Sequence, residues 1–238
     1  MDLNLGAGAG TSQQETSQQD PSSRHVQAYQ DLRNLIVSGS FGPNARLTEA
    51  ELTGVLEVSR GTVRSVVLRL AQEGYLTREP NRGVRTRVFT VEEAANVLEA
   101  REVLESALAG KCAELATKEE IAVLRSIWEE MGTAKYSSDA TAYSQLNRRF
   151  HQHVRETARR PILAGFVDQL AYPLVMRQFR DQTRSHPRAN SLEEHHAILT
   201  AIQTRNGDAA AAAMRHHVSS ARRALLLNTA VGAHSGSI

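Results

Sequence analysis

A single cysteine, Cys112, stands in the 238 residues of the chain, which excludes an internal disulfide framework and fits a reducing compartment. It lies among alanines in a helical pattern, where a buried small hydrophobe is the expected role. No apolar run approaches the roughly 20 residues of a membrane span. The N-terminus lacks a basic region followed by an apolar core, so no signal peptide is expected. The chain is therefore expected to be cytoplasmic, with no membrane partner. Aromatic residues make up only 5% of it. Trp128, Tyr143, Phe150, Phe166, Tyr172 and Phe179 recur at helical spacing, which reads as core packing rather than a ligand cage. There is no internal repeat, and the length suffices for one large or two ordinary domains, each with its own core.

Lysine is absent from residues 23–90, which carry ten arginines against six acidic residues, about +4 in a chain whose total is +2. Charge concentrated in this way is the footprint of phosphate neutralisation. The stretch Leu47 to Val88 explains how it would be used. Thr48 and Glu51 have capping-box spacing, and Leu52, Val55 and Leu56 follow on one helical face. Ser59 is a second N-cap, opening a helix from Arg60 to about Glu73 that Gly74 ends. Val63, Val66, Val67 and Leu70 form its buried stripe, leaving Arg60, Thr62, Arg64 and Arg69 to project elsewhere. Arginines at a helix start gain nothing from the helix dipole, which favours anions there, so Arg60 and Arg64 point to an external anion or base edge. Tyr75 to Thr77 and Val84 to Val88 read as two strands around a turn carrying Arg82 and Gly83, with Arg78, Arg85 and Arg87 on the hairpin. An earlier helix spans about Arg24 to Ser38, and Arg33 on its outer face is placed to reach the DNA backbone. Together these elements describe a winged helix-turn-helix that reads double-stranded operator DNA.

The run LIVSGSFGPNARLTEAELTGVLEVSRGTVRSVVLRLAQEGYLTREPNRG resembles the DNA-binding domain of the GntR family of bacterial transcription regulators. The VSR-x-x-VR segment, the RL-x-x-EG turn and the glycine-containing wing carry the resemblance. Two positions depart from it. Gly61 stands where the family often has Thr or Ala, and Ala50 where relatives often carry a DNA-touching arginine.

Beyond Thr90 the pattern becomes wholly helical. Helices are expected near 91–116, 118–134, 139–158, 161–182, 192–205 and 208–228, with capping boxes at Thr90/Glu93, Thr117/Glu120 and Ser191/Glu194. Pro161 suits a first helical turn, whereas Pro173 should kink or interrupt the fourth helix. The fold class is thus mainly α: an N-terminal winged helix-turn-helix and a C-terminal all-α antiparallel helical bundle. The expected division is a disordered tail at 1–22, a DNA-binding domain at 23–89, an effector-binding and dimerisation domain at 90–229, and a flexible tail at 230–238.

Six of the nine histidines fall in close pairs: His151/His153, His195/His196 and His216/His217. Adjacent helical residues point about 100° apart, so one of each adjacent pair can face the core. The apolar phase selects His195 and His217. It does not choose between His151 and His153, but Asn147 lies four residues before His151, on the same face. Three inward imidazoles with an amide oxygen or water suit a zinc-like or nickel-like ion. Three separate core histidines, each with its own hydrogen-bond partner, fit the spacing equally well.

The segments LNRRFHQHV, EEHHAILTAIQTRNGDAAAAAMRHHV and REVLESALAGKCAELA resemble the FCD effector domain of the FadR-type branch of that family. With six helices, the domain is most similar to its VanR-like variety. The resemblance implies a divalent metal, zinc foremost and nickel second, on Asn147, His151, His195 and His217. Asn147 replaces the commoner aspartate, which removes a negative charge. Arg101 falls in the family's R-x-x-L-E segment, where it would clamp a carboxylate effector or else pair with a glutamate. Arg177 and Arg180 are further pocket candidates. The reading is a homodimeric, ligand-responsive regulator, a repressor foremost, whose effector is a small carboxylic acid. A metal-dependent hydrolase in the bundle, or a regulator sensing the metal itself, are the alternatives. The hydrolase would need a general base, and no carboxylate is tied to the histidine motifs as in HExxH.

Overall fold

The computed structural model describes residues 21–79, 83–179 and 190–234. Of the tail expected at 1–22, residues 1–20 lie outside them, as does the hairpin tip Pro80 to Arg82, while Pro21 and Ser22 belong to the first helix instead of a disordered tail. Helix α1 (Pro21–Ser38) ends at Gly39, whose φ of +95° is open to glycine without strain. Strand β1 (Arg46–Leu47) leads into α2 (Glu49–Leu56), which opens on the Thr48–Glu51 capping box. The recognition helix α3 (Arg60–Gln72) is capped by the Ser59 hydroxyl and followed by Gly74 at φ +75°. Strands β2 (Leu76–Glu79) and β3 (Gly83–Thr86) form the hairpin.

The sheet has three strands in the order β1-β3-β2, all antiparallel. Two residues are too few to display a strand's alternation, which is why β1 is invisible in the sequence. It explains Gly83, however. That residue has φ +88°, and a Cβ there would sit 2.9 Å from the Leu47 carbonyl oxygen. Ala28, Leu32, Ile36, Leu47, Leu52, Val63, Val66, Leu70 and Tyr75 are buried between the helices and the sheet.

The rest of the described chain is helical: α4 (Val91–Leu115), α5 (Lys118–Tyr136), α6 (Ala140–Thr157), α7 (Pro161–Asp168), α8 (Tyr172–Gln178), α9 (Ser191–Gln203) and α10 (Gly207–His234). Capping boxes open α4 and α5. Three expectations change. The helix expected over 161–182 is two helices, so this part has seven among the described residues, not the six of the VanR-like variety. The break falls before Pro173, at Ala171, whose φ of +49° turns the chain. Ser191 is not an N-cap: Asn190 holds that position, the Ser191 hydroxyl meets Tyr143, and the Glu194 carboxylate is drawn to His217. Finally, α10 continues to His234, through residues expected to form the start of a flexible tail.

Helices α4 and α10 pack along most of their length, close enough that a Cβ on Gly110 would lie 3.2 Å from the Gly207 carbonyl oxygen. Leu98, Leu108, Cys112, Leu124, Met131, Phe150, Ile198, Ile202, Met214 and Val218 fill the bundle. Burial pushes the Cys112 thiol up to about 12, which makes it the inert hydrophobe expected. Phe166 is the aromatic that leaves the core pattern, with half of its surface exposed.

Candidate metal centre and nucleic-acid interface

The bundle brings His151 of α6, His195 of α9 and His217 of α10 together, each 2% exposed or less. One ring nitrogen from each lies within 4.8 Å of the other two. Ring centroids are 4.2 Å apart for His195–His217, 5.1 Å for His151–His217 and 5.5 Å for His151–His195. The other members of the pairs are elsewhere. His153 meets the Glu120 carbonyl at 2.8 Å, His196 stacks on Trp128, and His216 is exposed.

The partners of the three rings fix their tautomers. His195 Nδ1 lies 2.5 Å from the Ser191 carbonyl, which can only accept, so Nδ1 carries the proton. His151 Nδ1 lies 2.6 Å from Glu105, and His217 Nδ1 lies 2.9 Å from Glu194. Both are acceptors when ionised. Each ring therefore turns a proton-free Nε2 edge inward, and two of these, on His151 and His217, are only 3.2 Å apart. Two lone pairs at that distance repel unless a cation or a proton lies between them. Two nitrogens bound about 2.0–2.1 Å from a tetrahedral zinc ion are about 3.3 Å apart, so this spacing fits one. Carboxylates and carbonyls behind the ligating imidazoles are the usual outer support of such an ion. Asn147 lies one turn before His151, and its Oδ1 is shielded from solvent and has no hydrogen-bond partner among the described residues. The three imidazoles suit a borderline divalent ion and leave its fourth position open.

Glu105 is itself held by Arg101. The guanidinium donates from Nε to one carboxylate oxygen at 2.6 Å and from Nη2 to the other at 3.1 Å, with both side chains about 97% buried. Its other face covers the Tyr172 ring, 3.5 Å from the centroid. Burial alone would push the Glu105 carboxyl up, but the Arg101 charge and the hydrogen bonds from His151 and Arg101 hold it well below the usual carboxylate range. Burial, with Arg101 and Arg155 nearby, lowers His151 to about 4 against the pull of Glu105. Arg101 therefore takes the glutamate-pairing alternative that the sequence left open. Arg177 stands apart, its Nη1 packed against Gly39 at the end of α1. Arg180 lies outside the described residues.

Sequence reasoning missed Glu105 and Glu194, and with them the tie between carboxylates and histidines. Glu105 carried a local signal, because it follows Arg101 by four residues on one helical face. Both carboxylates support ring nitrogens from behind, so neither faces the open side as a general base would.

The recognition helix presents Arg60, Arg64, Ser65 and Leu68 to solvent, and a Cβ on the exposed Gly61 would meet only the Ser59 Oγ, at an ordinary 3.7 Å. Arg64 Nε donates to both oxygens of Glu49 at 2.9 Å, a contact that does not use its two terminal amino groups, and the side chain is largely exposed. Ser65 and Leu68 share this face and could have been found from helical phase. Thr62 is half-buried, its hydroxyl 3.0 Å from that of Ser59.

Three more arginines expected at DNA, Arg33, Arg69 and Arg85, have partners within the fold. Arg33 donates to the Tyr75 hydroxyl at 3.1 Å, and Arg69 pairs with Glu73 while covering the Tyr29 ring. Arg85 bonds Glu79 at 2.6 Å and the Asn44 carbonyl at 3.0 Å. Gly83 is exposed at the hairpin, and Arg82 lies outside the described residues.

Comparison with known proteins gives this geometry a context. Residues 24–86 match the family described as bacterial regulatory proteins, gntR family, and residues 96–220 match the FCD domain. The chain is 26% identical over 192 residues to the HTH-type transcriptional repressor RspR of Escherichia coli K12, covering 81% of this chain and 84% of that protein. It is 27% identical over 217 residues to the galactonate operon transcriptional repressor of the same organism, covering 82% and 93%. Among solved structures, E. coli McbR/YncC superposes with a TM-score of 0.73 at 20% identity, over 87% of this chain and 98% of that one. No helix among the described residues is long and apolar enough to cross a membrane.

Proposed function

Because the chain belongs to the GntR family of bacterial regulators and carries an FCD domain, and is thus a DNA-binding transcription regulator rather than an enzyme, we propose that it is a homodimeric repressor whose FCD domain uses a bound divalent metal ion to recognise a small carboxylic acid. His151, His195 and His217, with Asn147, would hold the ion, zinc foremost. When bound, the ion supplies a Lewis-acidic position for a carboxylate oxygen. The inward convergence of three Nε2 edges, each ring backed through Nδ1 by an acceptor, carries this reading. Arg101 enters it as a positioning residue, since it orients Glu105 and through it His151. Repressors among the relatives support the sign of regulation, and one relative is by name the repressor of a galactonate operon, galactonate being a carboxylic acid. Two copies follow from the two-half-site logic of helix-turn-helix readers.

Native mass analysis of the purified chain tests the reading. A divalent ion should accompany it, and a library of small carboxylic acids should contain members that change operator affinity only while the ion is present. Acids acting equally on chelator-stripped protein would contradict the role given to the ion.

On the DNA side, Arg60 and Arg64 are proposed to enter the major groove, with Thr62 beside them and the wing residues Arg82 and Gly83 on the backbone. Arg69 and Arg33 are proposed to stay with the fold, because besides Glu73 and the Tyr75 hydroxyl their guanidiniums also cover the Tyr29 and Tyr75 rings. Arg85 is proposed to stay at the sheet, with Glu79 and the Asn44 carbonyl. Arg64→Ala is expected to cost about 1–3 kcal/mol on operator DNA and to relax base preference at one position per half-site. Parallel titrations of operator and random duplex check this, and equal losses on the two would contradict base reading. Arg69→Ala is expected to lower thermal stability and leave the salt slope of binding unchanged.

A further inference from the structure

The seven-residue helix α8 lies between the two halves of the molecule and touches functional parts of both. At its first residue, the Tyr172 ring lies under the Arg101 guanidinium, whose other contacts run through Glu105 to His151. At its last residue, the Gln178 side-chain amide embraces Phe89. Phe89 N–H donates to Oε1 at 2.8 Å, and Nε2 donates to the Phe89 carbonyl at 2.5 Å. This pairing copies the two-way exchange of an antiparallel strand pair, with a side chain in the partner's place. Phe89 is 3% exposed and stands between the end of β3 and the cap of α4, where the wing joins the bundle. Next to Gln178, Arg177 packs against Gly39 at the end of α1. Ahead of the helix, the Ala171 Cβ would lie 3.8 Å from a Cβ on Gly74, at the end of the recognition helix.

We propose that α8 is the coupling element between the histidine cluster and the DNA-reading domain, with Gln178 as the positioning residue that transmits its setting to the wing junction. A helix of seven residues is about 10 Å long and moves as one body. A shift of Arg101 at its first turn is therefore delivered to Phe89, Gly39 and Gly74 together. Those three points govern the direction of the wing, of α1 and of the recognition helix. Coupling between separated sites requires an element whose position both ends bias, and α8 is packed to both. The proposal rests on the metal reading given above.

The test uses full-length, chelator-stripped protein with zinc sulfate as the probe. Zinc stoichiometry is read by mass spectrometry, and amide hydrogen exchange is followed over residues 37–41, 86–90 and 191–217. In wild type, one zinc per chain is expected to slow exchange in all three segments, by about 5- to 150-fold at 86–90 if the coupling has ordinary strength. Gln178→Ala is expected to bind zinc with unchanged stoichiometry and to keep the slowing at 191–217, while the zinc-dependent change at 86–90 disappears. Tyr172→Leu, which removes the other contact of the helix, is expected to behave alike. Retention of the zinc effect at 86–90 in both variants overturns the proposal, as does wild type that binds zinc without any change there. Wild type that binds no zinc overturns the metal reading itself, an outcome that stoichiometry alone identifies.

Discussion

Arg101→Ala is expected to lower the stability of the chain by about 3–5 kcal/mol, the usual cost of removing one partner from a buried charge pair. Glu105 would remain ionised or protonated in a site where both its oxygens now accept from the guanidinium. Burial would then act on its carboxyl with His151 and the Arg155 guanidinium, 4.0 Å away, left to oppose it. An exposed ion pair would cost at most about 1 kcal/mol, so the size of the loss distinguishes the two situations. Urea denaturation monitored by circular dichroism measures it. Because Glu105 also fixes the His151 ring, the same variant is expected to bind zinc about 10–100-fold more weakly. A loss of stability under about 1 kcal/mol would mean that Arg101 is not held as the structure places it.

The metal-free protein should also be sensitive to mild acid. His151 is lowered to about 4, chiefly by burial, from an ordinary value near 6.5. Between those two values the unfolded chain binds a proton that the folded chain refuses, so stability falls as pH drops from about 6.5 to about 4. The loss over that window is on the order of 3 kcal/mol. Below it, Glu105 adds to the decline, because a carboxyl held low in the folded state must be protonated as the chain opens. Zinc present at about 1,000 times its dissociation constant should restore about 4 kcal/mol at neutral pH. That gain should shrink with the protonation of the ligands as the pH is lowered. Melting curves of stripped and zinc-loaded protein at pH 7.5, 6 and 5 check both statements. A stripped protein with flat stability from pH 7 to 4.5 would contradict the neutral, buried His151.

Much of this architecture is local in origin and could be read from the chain. Thr48/Glu51, Thr90/Glu93 and Thr117/Glu120 form capping boxes because both partners lie within one turn. Ser191/Glu194 has the same spacing and fails, since Glu194 finds His217, 23 residues away, and spacing carries no trace of that partner. His195 and His217 were legible from apolar phase, whereas His151 and His153 were separated only by the fold. The Arg101–Glu105 pair lay in plain view at i, i+4, but its choice of partner over ligand depends on how deeply α4 is buried. Arg33 and Arg69 stand on outer helical faces and look free in a sequence. Two tyrosines from other elements, Tyr75 and Tyr29, claim them. The split between α7 and α8 depends on a left-handed Ala171, a conformation that composition does not announce.

Metal content measured on the purified wild type beside two sets of variants tests the central claim most directly. About one divalent ion per chain is expected in wild type, as well as in His196→Ala and His216→Ala, whose rings meet Trp128 and solvent instead of the cluster. None is expected in the triple variant His151→Ala, His195→Ala, His217→Ala, with circular dichroism confirming that its helices remain. A folded triple variant that keeps the ion, or a wild type that takes up none after dialysis against zinc, would return the three rings to separate core histidines and contradict the account.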